Sequence, residues 1–391
     1  MPPFHGFLYQ SDATRRMHVI GRDPSPGCTD SDPSIPTAHL GAFLARDGSE
    51  GATLGVDVDE PHAAMIFGKR GTGKSYTLGV FAEELAASRG VAPIIVDPMG
   101  VFGGLSAAGG RIIDPMIRPA TLPPSVWPSL LGLDPTGGPG SLCWRVVADA
   151  VDAADSADTP SHSPSLATIR ARVDAADAPE ATRRAVSNHL RLAAAWNVFD
   201  ADAPPISALV ADGSPTVINL AGVPEQAANA VVRAIARGLY DVSVAGEADR
   251  LPWLLIDEAH AYFEGIAAPA LRTLLTRGRS PGVSLVCATQ RPGAVPGVAV
   301  SQADLLVSHR LTAESDVQRL ADAEATYLAG TLASRLPTGT GEALVVDDAT
   351  ETAHTIRVRE RQTPHDGGSP RARDMHRSHQ PVRTADPKVK R

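Results

Sequence analysis

The octapeptide GKRGTGKS, residues 68–75, constrains the fold of this chain more than any other stretch. Its pattern is G-x-x-x-x-G-K-[ST], carried by Gly68, Gly73, Lys74 and Ser75. Glycines let a loop close tightly, with successive backbone N–H groups turned inward toward an anion. Such a loop works only between a strand and a helix. Here the apolar run Ala63-Ala64-Met65-Ile66-Phe67 precedes it, and the spacing predicts a helix from about Ser75 to Ser88 that stops at Gly90. That helix would point its positive N-terminal end at the same anion. Gly68, Lys69, Arg70, Gly71, Thr72, Gly73, Lys74, Ser75 and Tyr76 are therefore read as binding ATP. Lys74 would reach the β- and γ-phosphates, and the Ser75 hydroxyl would ligate Mg2+.

The rest of the chain fits an α/β fold. Apolar strand-like runs recur at VAPIIVDPM, PTVINLAG, PWLLIDEAH, VSLVCATQRP, DLLVSHRLT, GEALVVDD and TAHTIRVRE. Helical spacing separates several of them, as in PEQAANAVVRAIARGLYDV. Strands alternating with helices imply a mostly parallel sheet flanked by crossover helices. Residues 1–38 read as an irregular arm, and residues 39–60 as a short β lead-in turning near Asp47-Gly48. Residues 61–136 and 201–360 form the expected ATPase core, with 100–140 irregular. Residues 137–200 are Ala-, Arg- and Asp-rich with helical spacing and read as an inserted helical subdomain. Residues 361–391 hold eight basic and three acidic residues and no apolar period, and read as a disordered basic tail. Such a tail suits electrostatic tethering of nucleic acid and equally suits plain solubility.

A net charge of −8 argues against wholesale nonspecific DNA binding. The three cysteines, Cys28, Cys143 and Cys287, are too scattered for a zinc site or a disulfide framework, which fits a reducing compartment. No apolar run is long enough to span a bilayer, and the N-terminus lacks a secretory layout, so a cytoplasmic location is expected. Only four of the 36 basic residues are lysines, and two of these, Lys69 and Lys74, lie in the phosphate loop.

Hydrolysis needs more than a cradle. Leu254-Leu255-Ile256-Asp257-Glu258 reads as a buried strand ending in two acids, and ligands in such sheets gather at the carboxyl ends of strands. Asp257 would hold Mg2+ and Glu258 would activate the attacking water. Thr289 and Gln290 end the next strand and could sense the γ-phosphate. Arg272, Arg277, Arg279 and Arg310 are the candidates for an arginine at the developing charge. Arg170, Arg172, Arg183, Arg184 and Arg191 in the helical insertion fit either a DNA-facing surface or, more in keeping with charge runs generally, a solvated one.

These pieces, in this order, resemble the HerA-type ATPases of the HerA/FtsK group of P-loop translocases. The matching stretches are HAAMIFGKRGTGKSYT, PIIVDPMG, TVINLAGVPEQ, LLIDEAH, RGRSPGVSLVCATQRP, SHRLT and GEALVV, spanning about residues 39–360. The resemblance implies a RecA/FtsK-like core and a hexameric ring moving along double-stranded DNA. It also implies ATP sites at subunit interfaces and a role in DNA repair or end processing. Lys74, Ser75, Asp257, Glu258 and Gln290 match the family's nucleotide site, and Asp97 its strand-end acid. Arg279 matches an arginine that acts at the γ-phosphate within or between subunits. A NurA-type nuclease is the family's common partner. The lead-in here is shorter than the family's β-barrel, Asp97 is followed by Pro-Met-Gly, and a basic tail stands where the family has a long brace. Two other readings remain open: a conjugation or secretion ATPase of the same superfamily, and a nucleotide-dependent switch or scaffold.

Overall fold

The computed structural model describes residues 17–22, 35–156, 163–323, 335–365 and 367. In chain order the first elements are β1 (Met17–Ile20), β2 (Thr37–Leu44), β3 (Glu50–Asp57), β4 (Ala63–Phe67), α1 (Lys74–Ala87), β5 (Val91–Asp97) and β6 (Arg111–Ile113). Helices α2 (Trp127–Leu130), α3 (Gly138–Asp155), α4 (Leu166–Ala175) and α5 (Glu180–Ala195) follow. Then come β7 (Thr216–Asn219), α6 (Glu225–Val244), β8 (Leu251–Ile256), α7 (Ala268–Arg277), β9 (Ser284–Thr289) and α8 (Gly297–Ser301). The last are β10 (Leu305–Ser308), α9 (Glu314–Ala323), β11 (Glu342–Asp347) and β12 (Thr352–Val358).

Among the described residues the strands form one sheet of order β1-β3-β2-β12-β11-β10-β4-β9-β8-β5-β7-β6. From β10 to β6 every pairing is parallel. β11, β12, β2 and β3 continue it antiparallel, and β1 pairs parallel with β3. The central strands are apolar on both sides because helices cover both faces. Ala63, Met65 and Phe67 of β4 enter one core with Leu254 and Ile256 of β8 and the faces of α3, α5 and α6. Ala64 and Ile66 enter the other with Trp253, Leu255 and the apolar face of α1.

The predicted α/β architecture is present, with α3, α4 and α5 packed on one another between β6 and β7. An isolated bridge, Ile117 to Phe199, ties the two ends of that excursion together. Three stretches differ from expectation. Met17–Ile20, in the segment read as an irregular arm, forms a strand, because Val19 and Ile20 bury against the lead-in. The segment 100–140 contains a three-residue edge strand, β6, too short for a period to show. Residues 361–365, read as the start of a disordered tail, instead pack on α1. The Arg361 side chain there is 1% exposed, and Arg359, Arg361 and Thr363 converge on Glu83. The rest of the tail and most of the arm lie outside the described residues. Of the cysteines, Cys143 and Cys287 are free and buried.

Candidate nucleotide site

β4 delivers the chain to the loop at the carboxyl edge of the parallel strands, between β10 and β9. The loop then turns back into α1. Gly73, the residue before the helix, has φ 123°, a conformation that a side chain would strain. Lys69 organises the turn: its carbonyl accepts from the Thr72 hydroxyl at 2.7 Å and from Lys74 Nζ at 3.2 Å. Its own N–H donates to the Arg310 carbonyl at 3.0 Å. Lys74 is buried, while the side chains of Lys69 and Arg70 are exposed on the rim.

β8 brings the two acids to the same edge. The Ser75 hydroxyl lies close enough to Asp257 to favour its charged form, so the first turn of α1 comes up to the end of β8. Asp257 is almost fully buried, and that burial, with the Glu258 charge beside it, pushes its carboxyl up to about 6 against the pull of Ser75 and Lys74. Burial lowers the Lys74 ammonium, and the charges of Glu258 and Asp257 partly restore it. Lys74, Ser75, Asp257 and Glu258 are therefore brought together at this edge of the sheet.

Glu258 sits at φ 47°, ψ 39°, a left-handed conformation uncommon outside glycine. Its N–H donates to Asp257 Oδ1 at 2.9 Å. Its Oε2 is buried, lies 3.3 Å from His260 Nδ1, and accepts no hydrogen bond among the described residues. His260 Nδ1 is also 3.2 Å from Thr289 Oγ1, which accepts from Arg291 N at 3.0 Å. His260 thus links the end of β8 to the end of β9, where Gln290 is half-buried. Burial and then the Arg291 charge hold its imidazole below the ordinary value. Sequence reasoning singled out neither His260 nor Arg291. The Asp-Glu-Ala-His and Thr-Gln-Arg-Pro stretches contained both, but no spacing rule marks them.

Two candidates, Asp97 and Arg279, are engaged by groups outside the phosphate loop. Asp97 Oδ1 accepts from Met99 N at 3.3 Å and Val101 N at 3.1 Å, and Oδ2 from Phe102 N at 2.9 Å. It anchors the loop after β5. Arg279 is not brought to the loop of its own chain. Its Nη1 lies 3.2 Å from Asp304 Oδ2, which also meets His62 Nδ1 at 3.0 Å. His62 and Asp304 directly precede β4 and β10, so this cluster marks the amino edge of the sheet. The phosphate loop lies a strand length away, about 16 Å. Arg272 and Arg277 belong to α7, which leads to that same edge. Of the four arginines, Arg310 alone has its main chain bonded to the loop.

The site suits Mg2+. This ion keeps most of its waters and is held by one or two protein oxygens together with substrate phosphates. One hydroxyl, Ser75, touching one buried carboxylate, Asp257, provides that donor set. No group of three His, Cys, Asp or Glu stands ready to hold a metal alone among the described residues.

Residues 38–239, from β2 into α6, match the family described as "Helicase HerA, central domain". No curated protein matches the chain. Among solved structures, VirB4 of Thermoanaerobacter pseudethanolicus is similar in fold, with a TM-score of 0.62 at 17% identity over 82% of this chain and 96% of that one. The bacterial conjugative coupling protein TrwBdeltaN70, in complex with sulphate, has a TM-score of 0.55 at 17% identity over 85% and 98%. The match covers more than half of the sequence and contains the phosphate loop in its structural setting, and on that ground the chain belongs to the HerA central-domain family of P-loop motor ATPases.

Proposed function

We propose that this chain hydrolyses ATP and uses the energy to move along double-stranded DNA as a homo-oligomeric ring. The observation that carries the hydrolytic half is the placement of the Glu258 carboxylate at the carboxyl edge beside Lys74 and Asp257, close enough for its charge to act on both. A water held there would lose its proton to Glu258 as its oxygen attacks the γ-phosphorus, while the bond to the β–γ bridging oxygen breaks and ADP leaves. Loop backbone N–H groups other than those of Lys69 and Thr72, together with Lys74, would hold the phosphates. Ser75 and Asp257 would hold Mg2+, which would supply charge neutralisation at the phosphates. Gln290 would orient the water or read the γ-phosphate.

The translocating half rests on family membership. Steady-state ATPase with and without linear duplex DNA, beside Glu258→Gln, tests both halves. The expected result is a several-fold rise with duplex DNA and loss of about a hundredfold or more in the variant. Activity indifferent to DNA would remove the translocase. A second reading is a conjugation-type motor, favoured by the fold shared with VirB4 and TrwBdeltaN70. No helix among the described residues is long and apolar enough to cross a membrane. A nucleotide switch or scaffold would need no base, and retention of Glu258 weighs against it.

A further inference from the structure

We propose that His309 is a positioning residue that braces the phosphate loop from behind. It follows β10 directly, and its side chain is fully buried. Nδ1 lies 2.8 Å from the carbonyl oxygen of Glu342, at the start of β11. A carbonyl only accepts, so Nδ1 carries the proton and donates. Nε2 is then bare and accepts from the Thr77 hydroxyl at 2.9 Å, in the first turn of α1. The partners thus fix one neutral tautomer. Burial supports the same state by pushing the imidazole down to about 4, with the Glu342 carbonyl opposing and the Lys74 charge adding to the fall.

The His309 side chain fills the space that the motif glycines leave, its β-carbon against Gly68 and its ring against Gly73. A β-carbon on Gly68 would lie 2.7 Å from His309 Cβ, and one on Gly73 would lie 3.3 Å from His309 Cε1. The neighbouring main chain completes the frame. His309 N donates to Phe67 O at 2.8 Å, Lys69 N to Arg310 O at 3.0 Å, and Gly341 N to Thr72 O at 3.3 Å. Strand β4 and Gly68 therefore meet the main chain and β-carbon of His309, while Gly73, the first turn of α1 and the start of β11 meet its imidazole. A cradle of N–H groups binds an anion well only if those groups already point inward when it arrives. His309 holds them there.

The bracing itself is a property of the nucleotide-free chain; its use in ATP binding rests on the proposed ATPase reading. The test compares full-length wild type, His309→Ala, His309→Asn and Thr77→Val by amide hydrogen exchange without nucleotide, followed by binding of a fluorescent ATP analogue. In His309→Ala, amides of 68–77 should exchange about tenfold faster while those of β5 and β8 stay unchanged, and analogue affinity should fall about tenfold. His309→Asn keeps a donor toward Glu342 and should fall between. Thr77→Val should show the smaller loss of one bond. Loop exchange that is unchanged, or that rises equally in β5 and β8, overturns the proposal. Wild type that binds no analogue overturns the ATPase reading, while the exchange data still decide the bracing.

Discussion

Both carboxylate oxygens of Asp97 are engaged by the loop that follows it, and this separates two roles by experiment. Removing a buried acceptor of three N–H groups leaves donors unpaired, at about 1–3 kcal/mol. Asp97→Ala should therefore lower the denaturant midpoint, whereas a direct catalytic role would lower turnover at unchanged stability. Arg279 makes a second residue-scale contrast. It is bonded to Asp304 at the amino edge, so Arg279→Ala should leave ATP affinity of the isolated chain within about twofold. Lys74→Ala removes the buried ammonium beside Asp257 and Glu258 and should abolish measurable binding.

At the scale of elements, the notable feature is the strap 359–365 over α1. Glu83 is 3% exposed and accepts from Arg359, Arg361, Thr363 Oγ1 and the N–H groups of Gln362 and Thr363. Tyr76 accepts from Arg361 N at 2.6 Å, so the strap also reaches the residue after Ser75. Gly104 lets the strap pass, because a β-carbon there would meet the Pro364 carbonyl at 2.0 Å. Glu83→Ala would leave two arginines without their shared carboxylate and should cost about 3–5 kcal/mol, read by denaturant unfolding. Burial alone would raise the Glu83 carboxyl. The Thr363 hydroxyl, the strap N–H groups and Arg359 outweigh burial and hold it below its ordinary 4.5. A depressed carboxyl stabilises the fold above its unfolded value and loses that contribution as pH falls through the folded one. Acid should therefore destabilise wild type below about pH 4.5 more than it destabilises Glu83→Gln, in melts across that range.

For the whole molecule, the two edges of the sheet divide the candidate machinery. Lys74, Ser75, Asp257, Glu258 and Gln290 lie at the carboxyl edge, and Arg279 lies at the amino edge. A residue about 16 Å from its own phosphate loop can act at a γ-phosphate only in a neighbouring copy. In the proposed ring, Lys74→Ala subunits supply Arg279 and Arg279→Ala subunits supply an intact loop. Mixing the two inactive variants should restore a measurable part of the ATPase rate. No recovery at any ratio would remove Arg279 from catalysis between subunits.

The α/β class, the loop with Lys74 and Ser75, and the acids that close β8 were legible in the residues alone. Each rests on local rules: glycines where a loop must close, apolar runs of strand length, carboxylates at a strand's end. The residues also carried enough of the family pattern for the HerA resemblance. Which edge of the sheet each arginine occupies depends on strand order, and that emerges from the folded chain. Only the structure showed Asp97 anchoring its own loop, His260 joining two strand ends and His309 standing behind Gly68 and Gly73. Their partners are distant in sequence, as Thr77 and Glu342 are from His309. The strap escaped notice for the same reason: a polar segment with no period becomes ordered when a buried carboxylate some 280 residues earlier accepts its donors.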